Sequence, residues 1–194
     1  MYNFLDNRNI QSLMQKLAKF ILKIIGWTCE AKTPDFKKSI LVVAPHTSNW
    51  DFLLGEIGYT AIGRKANFVI KEEWMRWPFG GLIRKLGGIP VDRSKATNFT
   101  DKIVEIYNTH DVFNMAITPE GTRKRNPRWK RGFYVIAEKA NIPIVLVKID
   151  YEKKDMCMFE VFEPTGDIAT DIQAIKMRYK GCVAKHPENF SIGD

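Results

Sequence analysis

The sequence predicts an α/β fold: a single layered domain with a mixed, largely parallel sheet flanked by helices, plus an N-terminal amphipathic helix. Three observations carry this prediction. Short β-branched apolar runs recur without alternation, as in strands covered on both faces. Stretches with helical apolar spacing lie between them, and strands alternating with helices give a layered sheet. A chain of 194 residues with 45% hydrophobic content fits one core, and no repeat or low-complexity linker divides it. Residues 1–27 form the helical leader and 28–194 the layered domain.

Over 10–25, Ile10, Leu13, Met14, Leu17, Ile21, Ile24 and Ile25 recur at helical spacing, with Phe20 and Leu22 widening the stripe and Lys16, Lys19 and Lys23 punctuating it. Such a basic amphipathic helix either packs on the core with its lysines in water or lies on an anionic membrane surface, and both can hold along one helix. The run at 39–44 (SILVVA) is the first buried strand, stopped by Pro45. Further strands are predicted at 67–70, 89–91, 112–118 and 142–149, with an edge strand at 159–162. Helices are predicted at 52–63, 97–108 and 131–140, and a last one at 170–180 precedes a polar tail expected to fray.

The formal charge of +8 favours an anionic partner: nucleic acid, a membrane surface or a phosphate-bearing substrate. Cys29, Cys157 and Cys182 are scattered and form no CxxC pair, so neither a disulfide framework nor a zinc cluster is suggested, and a reducing compartment is expected. The N-terminus lacks a secretory pattern, and no apolar run reaches the length of a spanning helix.

His46 follows the strand at 39–44, at the carboxyl end where open α/β sheets place their crevices. Thr47, Ser48 and Asn49 offer capping side chains, and Asp51 falls in the first turn of the next helix, where the helix dipole favours a carboxylate. A tight strand-to-helix turn lets Asp51 accept from one imidazole nitrogen and leaves the other as a base. No Gly-x-Ser-x-Gly elbow or reactive-cysteine motif supplies a nucleophile, and Ser48 is a weak substitute. The nucleophile is therefore expected to arrive as a substrate hydroxyl. His110 and His186 are read as surface residues.

Two more segments suit ligand binding. The run Gly87-Gly88-Ile89-Pro90-Val91-Asp92-Arg93-Ser94 delivers Arg93, whose guanidinium matches phosphate or carboxylate. Pro119-Glu120-Gly121-Thr122-Arg123 makes a second crevice wall and opens the basic cluster Arg123, Lys124, Arg125, Arg128, Lys130 and Arg131. An aromatic loop with Trp74, Met75, Trp77 and Phe79 would line an acyl groove, insert at a membrane interface, or pack in the core.

The order of His46-x4-Asp51, the Gly88 to Arg93 segment, Glu120-Gly121-Thr122-Arg123 and the proline-led strand Ile142-Pro143-Ile144-Val145 resembles the lysophospholipid and glycerolphosphate acyltransferase family over residues 38–150. The resemblance implies a 1-acylglycerol-3-phosphate-like O-acyltransferase. It would transfer a fatty acyl group from acyl-CoA or acyl-carrier protein to a lysophospholipid hydroxyl. It implies His46 as base and Asp51 as its orienter. Asn49, Lys71, Arg93, Glu120, Gly121, Thr122 and Arg123 would bind the acceptor, with Arg93 and Arg123 on its phosphate. No metal or bound cofactor is expected; the acyl thioester is a co-substrate. The implied location is cytoplasmic, peripheral on the inner face of an anionic membrane, with acyl-carrier protein as a partner and no nucleic acid. Two alternatives stay open. One is a nucleic-acid module using the basic cluster with Trp129 for stacking; the other is a hydrolase placing water where the acceptor would sit.

Overall fold

The computed structural model describes residues 7–72, 80–85, 87–91 and 96–193. In chain order its elements are α1 (Asn7–Ile25), β1 (Thr28–Ala31), β2 (Lys38–Ala44), α2 (Asn49–Ala61), β3 (Asn67–Lys71), α3 (Gly80–Lys85), β4 (Gly88–Val91), α4 (Ala96–Thr109), β5 (Phe113–Ile117), α5 (Gly132–Ala140), β6 (Ile144–Asp150), β7 (Asp155–Phe162) and α6 (Ile168–Arg178). Seven strands form one sheet in the order β1-β7-β6-β2-β5-β3-β4. Every pairing is parallel except β6 with β7. The sheet is mixed and largely parallel, as the strand–helix alternation predicts.

The apolar run of β2 is buried on both faces because helices cover both. Ile40, Val42 and Ala44 meet α4, α5 and α6 through Ile103, Tyr107, Phe133, Ile136, Ile175 and their neighbours. Leu41 and Val43 join Val145, Val147 and Met156 under Leu54 and Tyr59 of α2. α1 rests on the outside of α2, burying Ala18 and Leu22 against Ala61. Its stripe otherwise faces outward: Leu13, Leu17, Phe20 and Ile24 are exposed, as are Lys16, Lys19 and Lys23. Among the described residues no helix is long and apolar enough to cross a membrane.

Several elements differ from expectation. β1 and α3 carry no apolar run: TCEA alternates exposed and half-buried positions, and GGLIRK opens on two glycines. β7 begins at Asp155, well before the predicted 159, because the buried Met156, Cys157 and Met158 are not β-branched. It is also no edge strand, since it lies between β1 and β6. The C-terminal tail does not fray. The Tyr151 N–H donates to the Val183 carbonyl at 2.8 Å, His186 N–H to Thr47 Oγ1 at 3.2 Å, and Trp129 Nε1–H to the Ser191 carbonyl at 3.1 Å. Trp74, Met75, Trp77, Phe79 and Arg93 lie outside the described residues.

Candidate active site

Parallel strands β2 and β5 are neighbours in register, Val42 beside Ile117. Their carboxyl ends therefore bring the His46 turn and the Pro119–Arg123 turn together. After the cis Ala44–Pro45 bond the chain enters α2 through a capping box. Ser48 Oγ accepts from the Trp50 N–H, and the Asp51 carboxylate reaches back to the Ser48 N–H. Asp51 Oδ2 accepts from the backbone N–H groups of Thr47 and Ser48, both at 2.8 Å. The same oxygen lies 3.2 Å from His46 Nδ1. An Nδ1–H directed at Asp51 leaves Nε2 as the unprotonated nitrogen of a neutral imidazole.

Burial alone would raise the Asp51 carboxyl, but donors from His46, Tyr151, Ser48 and Thr47 outweigh it and hold it below the ordinary carboxylate range. Glu120 is as buried as Asp51 and titrates in the opposite direction. Burial pushes it up to about 8, with the His46 and Glu120 backbone N–H groups pulling weakly the other way. Its Oε1 accepts from the His46 N–H at 2.9 Å, while Oε2 is buried with no partner among the described residues. Two acids on adjoining turns thus differ because one collects four donors and the other is mainly desolvated.

A cavity of about 930 Å³ opens beside this turn. His46, Asn49 and Asp51 line it from one side, Gly121, Thr122 and Arg123 from the other, and Phe52, Phe68 and Ala116 give it an apolar arm. Glu56 also lines it, and burial pushes that carboxyl up to about 7. Among the described residues, no serine or cysteine lines it. Gly121 has φ +67°, and a Cβ there would lie 3.1 Å from Lys130, so this tight turn suits glycine.

The sequence-predicted residues divide as follows. His46, Asn49, Asp51, Gly121, Thr122 and Arg123 converge on the cavity, and an Arg123 guanidinium nitrogen donates to Asn49 Oδ1. Glu120 sits beneath the turn, its carboxylate on the His46 amide. Lys71 ends β3 at the same sheet edge, paired with Val91, by backbone alone; Arg93 lies outside the described residues. Trp129 is only 5% exposed and packs against Tyr179, so it offers no stacking face to a nucleic acid.

One contributor escapes a reading of the sequence. The Tyr151 hydroxyl donates to Asp51 Oδ1 at 2.6 Å. Tyr151 follows β6, and β6 is the other parallel neighbour of β2. The signal available is a tyrosine just after the proline-led strand; that this strand lies against β2 is not written there.

Comparison with known proteins bears on the family and the fold. A sequence model described as Acyltransferase matches residues 7–150. No curated protein sequence matches. Among solved structures, the crystal structure of the 1-acyl-sn-glycerophosphate (LPA) acyltransferase PlsC from Thermotoga maritima is similar, with a TM-score of 0.60 and 18% identity over 94% of this chain and 87% of that one. At that identity the likeness establishes a shared fold. The sequence match extends from α1 through β6 and includes both turns that meet at the cavity, and the chain belongs to the acyltransferase family.

Proposed function

We propose that this acyltransferase moves a fatty acyl group from an acyl-CoA or acyl-carrier-protein thioester to the hydroxyl of a lysophospholipid resembling 1-acylglycerol-3-phosphate. The observation that carries the reading is the His46–Asp51 pair at the mouth of a cavity that, among the described residues, no serine or cysteine lines. A base without a protein nucleophile suits direct attack by a substrate hydroxyl. His46 Nε2 takes the hydroxyl proton as the oxygen attacks the thioester carbonyl. The tetrahedral intermediate collapses, the carbon–sulfur bond breaks, and the imidazolium returns the proton to the leaving thiolate. Asp51 stays ionised, holds the tautomer and stabilises the imidazolium. Arg123 binds the acceptor's phosphate, and the sequence resemblance alone adds Arg93 and Lys71 to that role; Asn49, Gly121 and Thr122 shape the wall, and Glu120 supports it from below.

Residues 28–194 form the catalytic domain and 1–27 a membrane-surface helix. The outward apolar face of α1, flanked by Lys16, Lys19 and Lys23, suits an anionic bilayer, where each basic group adds about 1 kcal/mol. That supports a cytoplasmic location for the enzyme, peripheral to the membrane that holds its acceptor.

The test presents the purified protein, on anionic vesicles, with labelled acyl-CoA and acyl-carrier protein against a panel of lysophospholipids. Label in a diacyl product supports the reading. Label released only as free fatty acid makes the protein a hydrolase, and label left on the donor with every acceptor overturns acyl transfer to lysolipids.

A further inference from the structure

Asp51 divides its hydrogen bonds unequally. Oδ2 accepts from the Thr47 and Ser48 backbone and faces His46, whereas Oδ1 takes the Tyr151 phenol at 2.6 Å. The bond to His46, at 3.2 Å, is the longest of these. Asp51 is 3% exposed, so water cannot readily replace a donor lost from Oδ1. The backbone donors belong to the capping box, which would hold this turn whatever the residue at position 46. Tyr151 serves no cap, and among the described residues its hydroxyl makes no other hydrogen bond. Its ring is braced by Trp27, edge-on at a centroid distance of 5.0 Å and an interplanar angle of 85°. Trp27 lies between α1 and β1.

We infer that Tyr151 is a positioning residue of the transfer reaction: braced by Trp27, its phenol fixes the Asp51 carboxylate that orients His46. The inference rests on His46 acting as the base. Tyr151 keeps its proton throughout, because burial and the Asp51 charge both push its acidity far below that of a free phenol. It therefore donates to Asp51 before and after the proton passes through His46. The bond also draws charge from the carboxylate and limits how tightly Asp51 holds the imidazole proton. Glu120, beyond the His46 amide, is the other acid that faces Asp51.

The test compares the full-length protein with Y151F, D51N, D51N/Y151F and H46A. Y151F keeps the ring against Trp27 and loses only the hydroxyl. In the free enzyme, the His46 imidazole titration followed by NMR moves to higher pH in Y151F, because Asp51 relieved of the phenol is the stronger base. With acyl-CoA and 1-acylglycerol-3-phosphate on anionic vesicles, kcat falls roughly tenfold while both KM values change little. The acid limb of the rate profile moves with the titration. In a D51N background the same change has no further effect, since there is no carboxylate left to position. An unmoved titration, or losses that add in the double variant, overturns the inference. A silent Y151F beside an inactive H46A sinks the inference alone; an active H46A sinks the assignment of the base beneath it.

Discussion

The turn after β2 and the outer face of α1 break the ordinary rule of burial in opposite directions. Where that turn meets the one after β5, two carboxyl groups, Asp51 and Glu120, are each 3% exposed. Along α1, Leu13 and Ile24 are each 68% exposed. Burying a carboxyl costs free energy unless donors offset it, and leaving large apolar side chains in water forgoes their burial. Neither arrangement is what folding stability alone would select. The turn keeps polar groups inside because their geometry must be held. The helix keeps apolar groups outside, where a lipid surface would cover them. What separates the regions is where the missing partner lies, within the chain or beyond it.

Breaking the buried side of this contrast should have the largest effect. D51N removes the charge that orients His46 and should lower kcat by roughly 10³-fold or more, with acceptor KM changed far less. Steady-state kinetics check this, and a loss confined to KM would assign Asp51 to binding instead. The exposed side comes next. L13D with L17D should leave the unfolding midpoint almost unchanged, because both positions face water. Affinity for anionic vesicles should fall about a hundredfold by co-sedimentation, since two leucines leave the bilayer face. A lower melting temperature with unchanged vesicle binding would turn the stripe into a packing surface. R123A should raise the acceptor KM about tenfold and leave kcat near wild type.

The smallest effect separates the two acids of the turn by pH. Asp51 lies below the ordinary carboxylate range, so its contribution to stability is present above its unfolded pKa and lost as pH falls through the folded one. Glu120 is raised to about 8, so its contribution has the opposite sign: full below its unfolded value of 4.5, and lost as pH rises toward 8. E120Q stays neutral and keeps an acceptor for the His46 N–H. Its melting temperature should therefore fall less than that of wild type between pH 5 and pH 8, by a few degrees. Parallel curves would mean that Glu120 ionises without penalty.

Where side chains are buried by neighbours close in sequence pattern, the fold was legible. The apolar runs that become β2, β5 and β6 announce strands covered on both faces, and the capping residues before Asp51 place the start of α2. Legibility fails where burial depends on the order of strands. β7 hides because methionine and cysteine fill its interior positions, and the C-terminal tail is held by polar contacts to Thr47, Tyr151 and Trp129 that have no period. The same limit applies at the site. The five-residue interval from His46 to Asp51 is local and readable, whereas Tyr151 reaches Asp51 only because β6 lies against β2. Glu120 stands in a legible motif, but that its carboxyl meets the His46 N–H while Arg123 lines the cavity is not written there.

The central claim is that His46 is the base of an acyl transfer. The most direct measurement follows label from an acyl thioester into 1-acylglycerol-3-phosphate on anionic vesicles, using wild type and H46A of equal thermal stability. Wild type should give diacyl product, and H46A a rate lower by roughly 10³-fold or more. An H46A enzyme that transfers acyl groups at close to the wild-type rate would contradict it.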